Sequence, residues 1–475
     1  MSVPGHTIGV QVAPGAAASR VVSHTDYMDP VPVRRAYKFR AYVTRPQEGR
    51  AVRMLRDHCD LYNAALEERR EAWRMRKESV SYSIQSAQLK DIRRADPDGQ
   101  GLHSFTAQQQ TLRRLSTVFA AFLDRVRDAE TSTGRKKPGC PRFKPYQRFS
   151  QVMFVAGDGA RWQPRDAGKW ATATFQAVGT VKVRQHRQVH GTAKTLQLKR
   201  EHRRWYVIVT TETEPVPLPP TGQAVGVDVG VVRFLTTSDG EVIANPRILA
   251  KSAEMIADLQ RRMARARPGS GNRRRLRRAL AKEWRKVRNR RRDFCHKTAR
   301  ALVDSCDTIA LENLNAAGMT RRPAPRPDPE RPEGFLPNQA AAKAGLNKSI
   351  LDAGWAQFQA ILAGKAESAG RRVVLVNPAG TSITCCQCGQ RCIRPRQDTV
   401  ICPGHGTMDA DVNAARNIFT RAGLGSGRAA PAAREATAFR RQSSHASIIG
   451  QDAGWRRPAP PRRPTRPRPG GTPTG

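Results

Sequence analysis

Cys385, two residues, Cys388, thirteen residues, Cys402, two residues and His405 form a spacing that leaves the chain few ways to fold locally. Three thiols and one imidazole in two close pairs are the donor set of a tetrahedral zinc site. Each pair sits in a tight knuckle, CCQCG and CPGHG, whose glycines permit the turn. Five of the nine cysteines fall within 385–402. A disulfide scaffold would spread them, whereas clustering in a basic, intracellular chain points to metal binding. Cys386 and Cys392 are spare thiols that can compete for the ion, so the site is better fixed than the quartet. Four protein ligands leave no open coordination position, so the zinc is structural.

Charge sets the partner. Lys and Arg number 83 against 40 Asp and Glu, a formal net charge of +43 over 475 residues. That imbalance calls for a polyanion, with nucleic acid ahead of an anionic membrane surface. The chain has no run of about 20 apolar residues to span a bilayer. Residues 1–33 lack the basic-then-apolar layout of a signal peptide, so a cytoplasmic protein is expected, nucleoid-associated when bound to DNA. Residues 261–292 hold 16 Lys or Arg and one acid, Glu283. From Asn272 the block reads as a helix, with Leu276, Leu280, Trp284 and Val287 as one narrow apolar stripe. Unmixed positive charge would repel itself severely without a polyanion, so Arg274, Arg277, Arg278, Arg285, Arg288 and Arg292 are candidate nucleic-acid contacts. Lys144 joins them from 134–149, a segment that mixes Lys and Arg with Pro, Gly, Phe and Tyr and suits a loop against a phosphate backbone.

Periodicity supplies the outline. Residues 1–33 and the Arg/Pro-rich stretch from about 421 have no apolar set to bury and are expected to be disordered. Residues 34–42 alternate as a strand, and Leu55, Cys59, Tyr62, Leu66 and Trp73 mark a helix over 46–77. A second helix is expected over 105–127. Residues 180–191 and 204–214 read as strands joined by a turn, forming with 34–42 a small barrel interrupted by the helical insert. Residues 215–220, PVPLPP, form a stiff linker and the main domain boundary. Residues 321–340 read as a mobile loop, and 355–378 as a helix, a Gly turn and a strand.

Three acids stand out. Asp228 sits amid the apolar run VGVDVGVVRFLTT (225–237), where a lone carboxylate is costly unless paired or on a metal. Glu312 ends another apolar strand, TIALE. Asp411 opens a helix directly after the cysteine cluster. Asp409, two residues earlier, is a natural N-cap. Three carboxylates suit Mg²⁺, a hard ion that takes oxygen ligands, and a pair of such ions about 4 Å apart is the apparatus of phosphodiester cleavage.

The ordered set GVDVG, LENLNAAGM, TSITCCQCG with CPGHG, and DADVNAARNI resembles the transposon-encoded TnpB nucleases and the compact type V CRISPR effectors derived from them. AYKFRAYVTRPQ, LYNAALEERR, GCPRFK, GTVKVRQHR, NRRRLRRALAKEWRKVRNRRRDFCHK and GWAQFQAILAGKAESAG extend the likeness over roughly 34–420. The resemblance implies a multidomain α+β protein. An OB-like β-barrel wedge domain (34–46 plus 134–214) would hold a helical recognition insert (47–133). An RNase H-like RuvC domain (221–420) would contain the basic helix 261–292 and a zinc ribbon (381–407); the tail expected to be disordered (421–475) lies outside the resemblance. It implies Asp228, Glu312 and Asp411 as Mg (or Mn) ligands, leaving Asp409 to local structure, and Zn on Cys385, Cys388, Cys402 and His405. The family usually has Cys where His405 stands, and imidazole serves as well.

The implied activity is guide-RNA-directed cleavage of double-stranded DNA beside a short flanking motif, with a displaced single strand, by a monomer or a homodimer on one guide RNA. Two other functions fit the sequence: a guided repressor that does not cut, and an unguided zinc-ribbon nucleic-acid-binding protein.

Overall fold

The computed structural model describes residues 32–130, 138–164, 169–424 and 434–435. Most of 1–33 and of the tail from 421 therefore lies outside the described residues. Tyr37, Phe39 and Ala41 are buried, with Lys38 and Arg40 between them on the opposite face, and this alternation makes β1 (Val33–Tyr42) a barrel strand. Its partners are β2 (Gln151–Ala156), β3 (Gly159–Gln163), β4 (Trp170–Phe175), β5 (Gly179–Arg184), β6 (Thr192–Glu201) and β7 (Arg204–Thr213). They close in the order β1-β5-β4-β3-β2-β6-β7. The sequence outline needs correction here. The strand expected over 180–191 stops at Arg184, and β6 is a separate strand. Between them His186 sets its ring edge-on to Phe39 at 5.2 Å and Val189 packs on the core, so this stretch covers the barrel instead of pairing.

Between β1 and β2 run α1 (Arg45–Arg76), α2 (Tyr82–Ala95) and α3 (Phe105–Glu130). Thr44 starts α1 with a capping box. Its hydroxyl accepts from the Gln47 N–H, and its own N–H donates to Gln47 Oε1 at 3.0 Å. Leu55, Cys59, Tyr62 and Leu66 pack with Leu89, Leu112 and Leu115 in a core continuous with the barrel. Trp73 does not: it is 58% exposed, because α1 outruns the helices that cover it. The sequence outline also missed α2, which buries only Gln85 and Leu89 and so has too sparse an apolar period to register.

The segment 215–220 is fastened to the second lobe. Val216 and Leu218 donate their N–H groups to the Ser368 and Ala369 carbonyls, both at 3.0 Å, and Arg371 Nη2 donates to the Pro219 carbonyl at 2.7 Å. The apolar run 225–237 is a hairpin, not one long strand. β8 (Ala224–Asp228) turns into β9 (Arg233–Thr237) and β10 (Val242–Ala244), so Asp228 ends a strand. Next come α4 (Ala253–Arg265), α5 (Gly271–Ser305), β11 (Thr308–Glu312), α6 (Ala316–Met319), the hairpin β12 (Arg326–Asp328) and β13 (Arg331–Leu336), α7 (Ala340–Ala353), α8 (Trp355–Ser368) and β14 (Arg372–Val376). The hairpin corrects the loop expected over 321–340. β15 (Ile393–Arg396), β16 (Thr399–Cys402) and β17 (Gly406–Asp409) form a three-stranded sheet that feeds α9 (Ala410–Arg421). Arg434–Glu435 (β18) adds two residues beside β14, so this part of the expected disordered tail is paired.

The central sheet runs β10-β9-β8-β11-β14-β18. β8, β11 and β14 are parallel, and Leu311 faces Val227, so Glu312 comes beside Asp228 at the strand ends. Odd positions Val225, Val227, Ile309 and Leu311 face α5 and α8 in one core. Phe234 locks that side, with Phe294 edge-on at 4.7 Å and Phe358 at 5.2 Å. Even positions face α9: Ala310 packs with Ile418, and a Cβ on Gly226 would lie 2.2 Å from the Ala415 carbonyl oxygen. Asp228 and Glu312 are even positions, so they lie on the face that α9 covers. Gly226→Ala should push α9 off β8, at a cost of about 1–3 kcal/mol by the usual penalty of overpacking. A lowered thermal midpoint with an unchanged barrel circular-dichroism signal would check this.

Candidate metal centres and nucleic-acid surface

Asp228, Glu312 and Asp411 line one cavity of about 320 Å³ at the strand ends, with Trp355, Thr381 and Arg394 among its walls. Each carboxyl is raised. For Asp228 the causes are burial, then Glu312 and Asp411, which together push it up to about 7 against the pull of Arg394 and the Val229 N–H. Glu312 is raised by burial, although the Thr381 hydroxyl donates to its Oε1. Asp411 is raised by burial, with Asp409 adding to it and Arg233 opposing. Glu312 and Asp411 both disfavour charge on Asp228, and an all-oxygen donor set of this kind is one that fits Mg²⁺ or Mn²⁺.

Asp409 behaves differently. Burial works against its charge, but the Arg233 guanidinium and two helix N–H groups outweigh it and hold Asp409 below the usual range. Its Oδ1 accepts from the N–H groups of Asp411 at 3.0 Å and Val412 at 3.1 Å. Its Oδ2 accepts from Arg233 Nη1 at 2.7 Å. It is the N-cap of α9.

Cys385, Cys388, Cys402 and His405 bring one ligand atom each within 4.8 Å of the others. Cys388 Sγ to Cys402 Sγ is 3.6 Å, as are Cys385 Sγ and Cys402 Sγ to His405 Nδ1. A tetrahedron with Zn–S near 2.3 Å and Zn–N near 2.0–2.1 Å has edges of about 3.8 and 3.6 Å, so the cage has the dimensions of the ion. The His405 contact draws the Cys402 thiol down to about 6, toward the thiolate that zinc requires. The first knuckle is tied to α9 by side-chain bonds. Asn413 Oδ1 accepts from the Cys386 N–H at 2.8 Å, and Asn413 Nδ2 donates to the Thr384 carbonyl at 2.8 Å. Asn417 donates to the Thr381 and Thr384 carbonyls at 2.8 and 2.6 Å.

The sequence outline assigned no role to Arg233, Thr381, Arg394, Asn413 or Asn417. The asparagines stand four apart in DVNAARNI, on one helix face, and that spacing was a usable signal. Arg233, Thr381 and Arg394 reach the acids only through tertiary structure.

Of the candidate nucleic-acid contacts, Arg274, Arg277, Arg278 and Arg288 are exposed on α5, while Arg285 and Arg292 are half-buried. Leu276 and Val287 of the apolar stripe are buried, with Leu280 and Trp284 packed beside them. Arg285 is within electrostatic reach of Arg40, and Arg288 of Lys38, so this helix and the barrel share a positive zone. On that barrel wall Lys182 lies 4.3 Å over the Trp170 ring, and Arg40 lies 5.5 Å from Tyr42 and 5.6 Å from Tyr206. Lys144 is more committed than its loop composition suggested: its backbone bonds Asn63 and its ammonium lies 4.3 Å over Tyr62.

Two measurements follow. The proton on Asp228 is held more tightly folded, near 7, than unfolded, near 3.9. Its contribution to stability is therefore present below the unfolded value and lost as pH rises through 7. In chelator, Asp228→Asn should stabilise the protein at pH 8 by about 1–2 kcal/mol, discounted for a carboxylate that opens on a cavity, and by nothing at pH 4. Metal analysis should give one zinc per chain, retained in Cys386→Ser, Cys392→Ser and His405→Cys and lost or weakened at least tenfold in Cys402→Ser.

Residues 207–322 match the family model OrfB_IS605, described as a probable transposase, and residues 355–418 match the Cas12f1-like TNB domain. InsQ of Escherichia coli (strain K12), named "Putative RNA-guided DNA endonuclease InsQ", is 31% identical over 66% of this chain and 73% of its own length. A protein of Streptomyces pristinaespiralis named "Putative RNA-guided DNA endonuclease" is 29% identical over 87% of this chain and 94% of its own. In three dimensions the chain is similar to Cas12f1 from a complex with sgRNA and target DNA, with a TM-score of 0.50 at 14% identity over 82% of this chain and 98% of that one. That likeness shows a shared multidomain α+β fold. No described helix is long and apolar enough to cross a membrane. The chain belongs to the family formed by the TnpB proteins or the compact type V effectors related to them.

Proposed function

We propose that this protein is an RNA-guided, Mg²⁺-dependent DNA endonuclease, with Asp228, Glu312 and Asp411 as its catalytic acids. The observation behind the proposal is the convergence of these three carboxylates in one cavity at the ends of β8 and β11 and the start of α9. Divalent ions bound there would activate water and stabilise the departing oxygen of a phosphodiester. The residues divide the remaining work. Thr381 fixes the rotamer of Glu312 by donating to Oε1. Arg394, on β15, puts a positive charge beside Asp228 and Asp411 and is placed to meet a phosphate entering the cavity. The cysteine–histidine ribbon, closed by zinc, would hold Arg394 and the start of α9 in a fixed relation.

In this reading the sheet with α5, α8 and α9 is an RNase H-like RuvC domain, and the seven-stranded barrel is an OB-like wedge carrying the helical recognition insert. The barrel wall and α5 would grip guide RNA and heteroduplex through phosphates and stacking, while base pairing supplies sequence choice. Arg274, Arg277, Arg278 and Arg288 are the exposed contacts. The relatives named as RNA-guided DNA endonucleases support the substrate class.

RNA copurifying with the protein from its own locus should be a discrete scaffold with a guide segment. With it, the protein should cut matched duplex DNA in Mg²⁺. Asp228→Ala should reduce cutting by roughly 10³-fold or more while DNA binding persists. Guided binding without cutting by the unaltered protein would instead identify a repressor. Sequence-independent affinity without RNA would identify an unguided binder.

A further inference from the structure

Arg233 lies at the edge of the acid cluster, between two aspartates. Its Nη1 is 2.7 Å from Asp409 Oδ2 and 3.6 Å from Asp411 Oδ2. The same guanidinium nitrogen therefore chooses between a capping residue and a cavity-lining acid, and it sits on the cap. Asp409 is held in turn by the Asp411 and Val412 N–H groups on its other oxygen. Arg233 and Asp409 side chains are 31% and 35% exposed, and the one nitrogen already lies within 4 Å of both carboxylates, so only a small shift separates the two pairings. A cation fully paired with Asp411 would compete directly with a divalent ion for the same oxygens.

We propose that Asp409 is a latch: by engaging Arg233 through Oδ2 it holds the guanidinium 3.6 Å from Asp411, short of a direct hydrogen bond, and so leaves that carboxylate open to a divalent cation. Arg233 and Asp409 are positioning residues that act through Asp411. The proposal rests on the three acids being a divalent-cation site. It explains why the cap of α9 is an acid when Asn would cap equally well: the amide of Asn supplies the oxygen for the helix N–H groups but no charge for Arg233.

The test is a double-mutant cycle on the full zinc-loaded chain, freed of nucleic acid, with Mn²⁺ binding followed by electron paramagnetic resonance. Asp409→Asn keeps the cap, and a thermal melt within a few degrees of wild type verifies folding. Mn²⁺ affinity should fall roughly 10-fold or more in Asp409→Asn, the usual scale for outer partners of a metal ligand. Adding Arg233→Gln should restore it to within about threefold of wild type, whereas Arg233→Gln alone should change it less than about threefold. That coupling is what a latch requires. If Arg233→Gln has the same effect in both backgrounds, Asp409 acts only through its own charge and the latch is wrong, although the metal site stands. If wild type shows no Mn²⁺ binding that Asp228→Asn abolishes, the metal-site reading itself fails and the latch with it.

Discussion

The in-register parallel pairing of β8 with β11 is the constraint on which the second lobe depends. It sets Val227 opposite Leu311, and so brings Asp228 and Glu312 together at the same end of the sheet. A slip of one residue in β8 would turn Asp228 toward the apolar face of α5 and α8 and away from Glu312. The strands carry two carboxylates on the face covered by α9 because both stand at the strand ends, where that face opens on the cavity. That helix comes within a glycine's width of β8, and its first turn adds the third acid. Parallel strands leave their C-terminal ends open for ligands, and the acids lie there.

Placing α9 is in turn the task of the cysteine–histidine ribbon. β17 ends at Asp409 and α9 begins at Ala410, with no intervening loop. Asn413 and Asn417 then reach back to Thr384, Cys386 and Thr381 at the entrance of the ribbon, so the segment is tied to α9 at both ends. Thr381 also holds Glu312. One short stretch thereby couples the metal cage, the β11 acid and the α9 acid. Loosening the cage would be felt at the carboxylates, over a path of direct hydrogen bonds.

Much of this was legible in sequence where one residue type has one physical use. The Cys and His spacing marked a metal site, because few arrangements of thiols and an imidazole this dense suit anything else, while the structure singles out Cys385, Cys388, Cys402 and His405 from the spare thiols. The alternation of β1 and the periodicity of α1 marked the barrel and its insert. Other features were hidden for equally physical reasons. The turn after Asp228 uses Val229, Gly230, Val231 and Val232, and an apolar turn looks like more strand. α2 buries two side chains only. The hairpin at 326–336 is built from Arg and Pro, residues that rarely mark strands. The bonds from Arg233 to Asp409 and from Thr381 to Glu312 span 176 and 69 residues, distances over which local periodicity says nothing.

The +43 charge adds a further constraint. Where α5 nears the barrel, Glu201 takes a bond from Lys38 at 2.5 Å and sits 3.7 Å from Lys199, with Arg288 also in its field. One carboxylate faces three cations, and Lys38 is depressed by burial despite it. The zone would be more stable with further negative charge than with the protein alone. Aromatic rings interleave the cations on the adjacent barrel wall, where Tyr42 and Trp170 meet edge to face at 5.3 Å. Bare charge would attract any polyanion, whereas rings between the cations favour one with planar bases to stack on them. The excess charge of this region and the rings between its cations therefore agree on one kind of ligand, and accord with the proposal that guide RNA and heteroduplex are gripped between the barrel and α5.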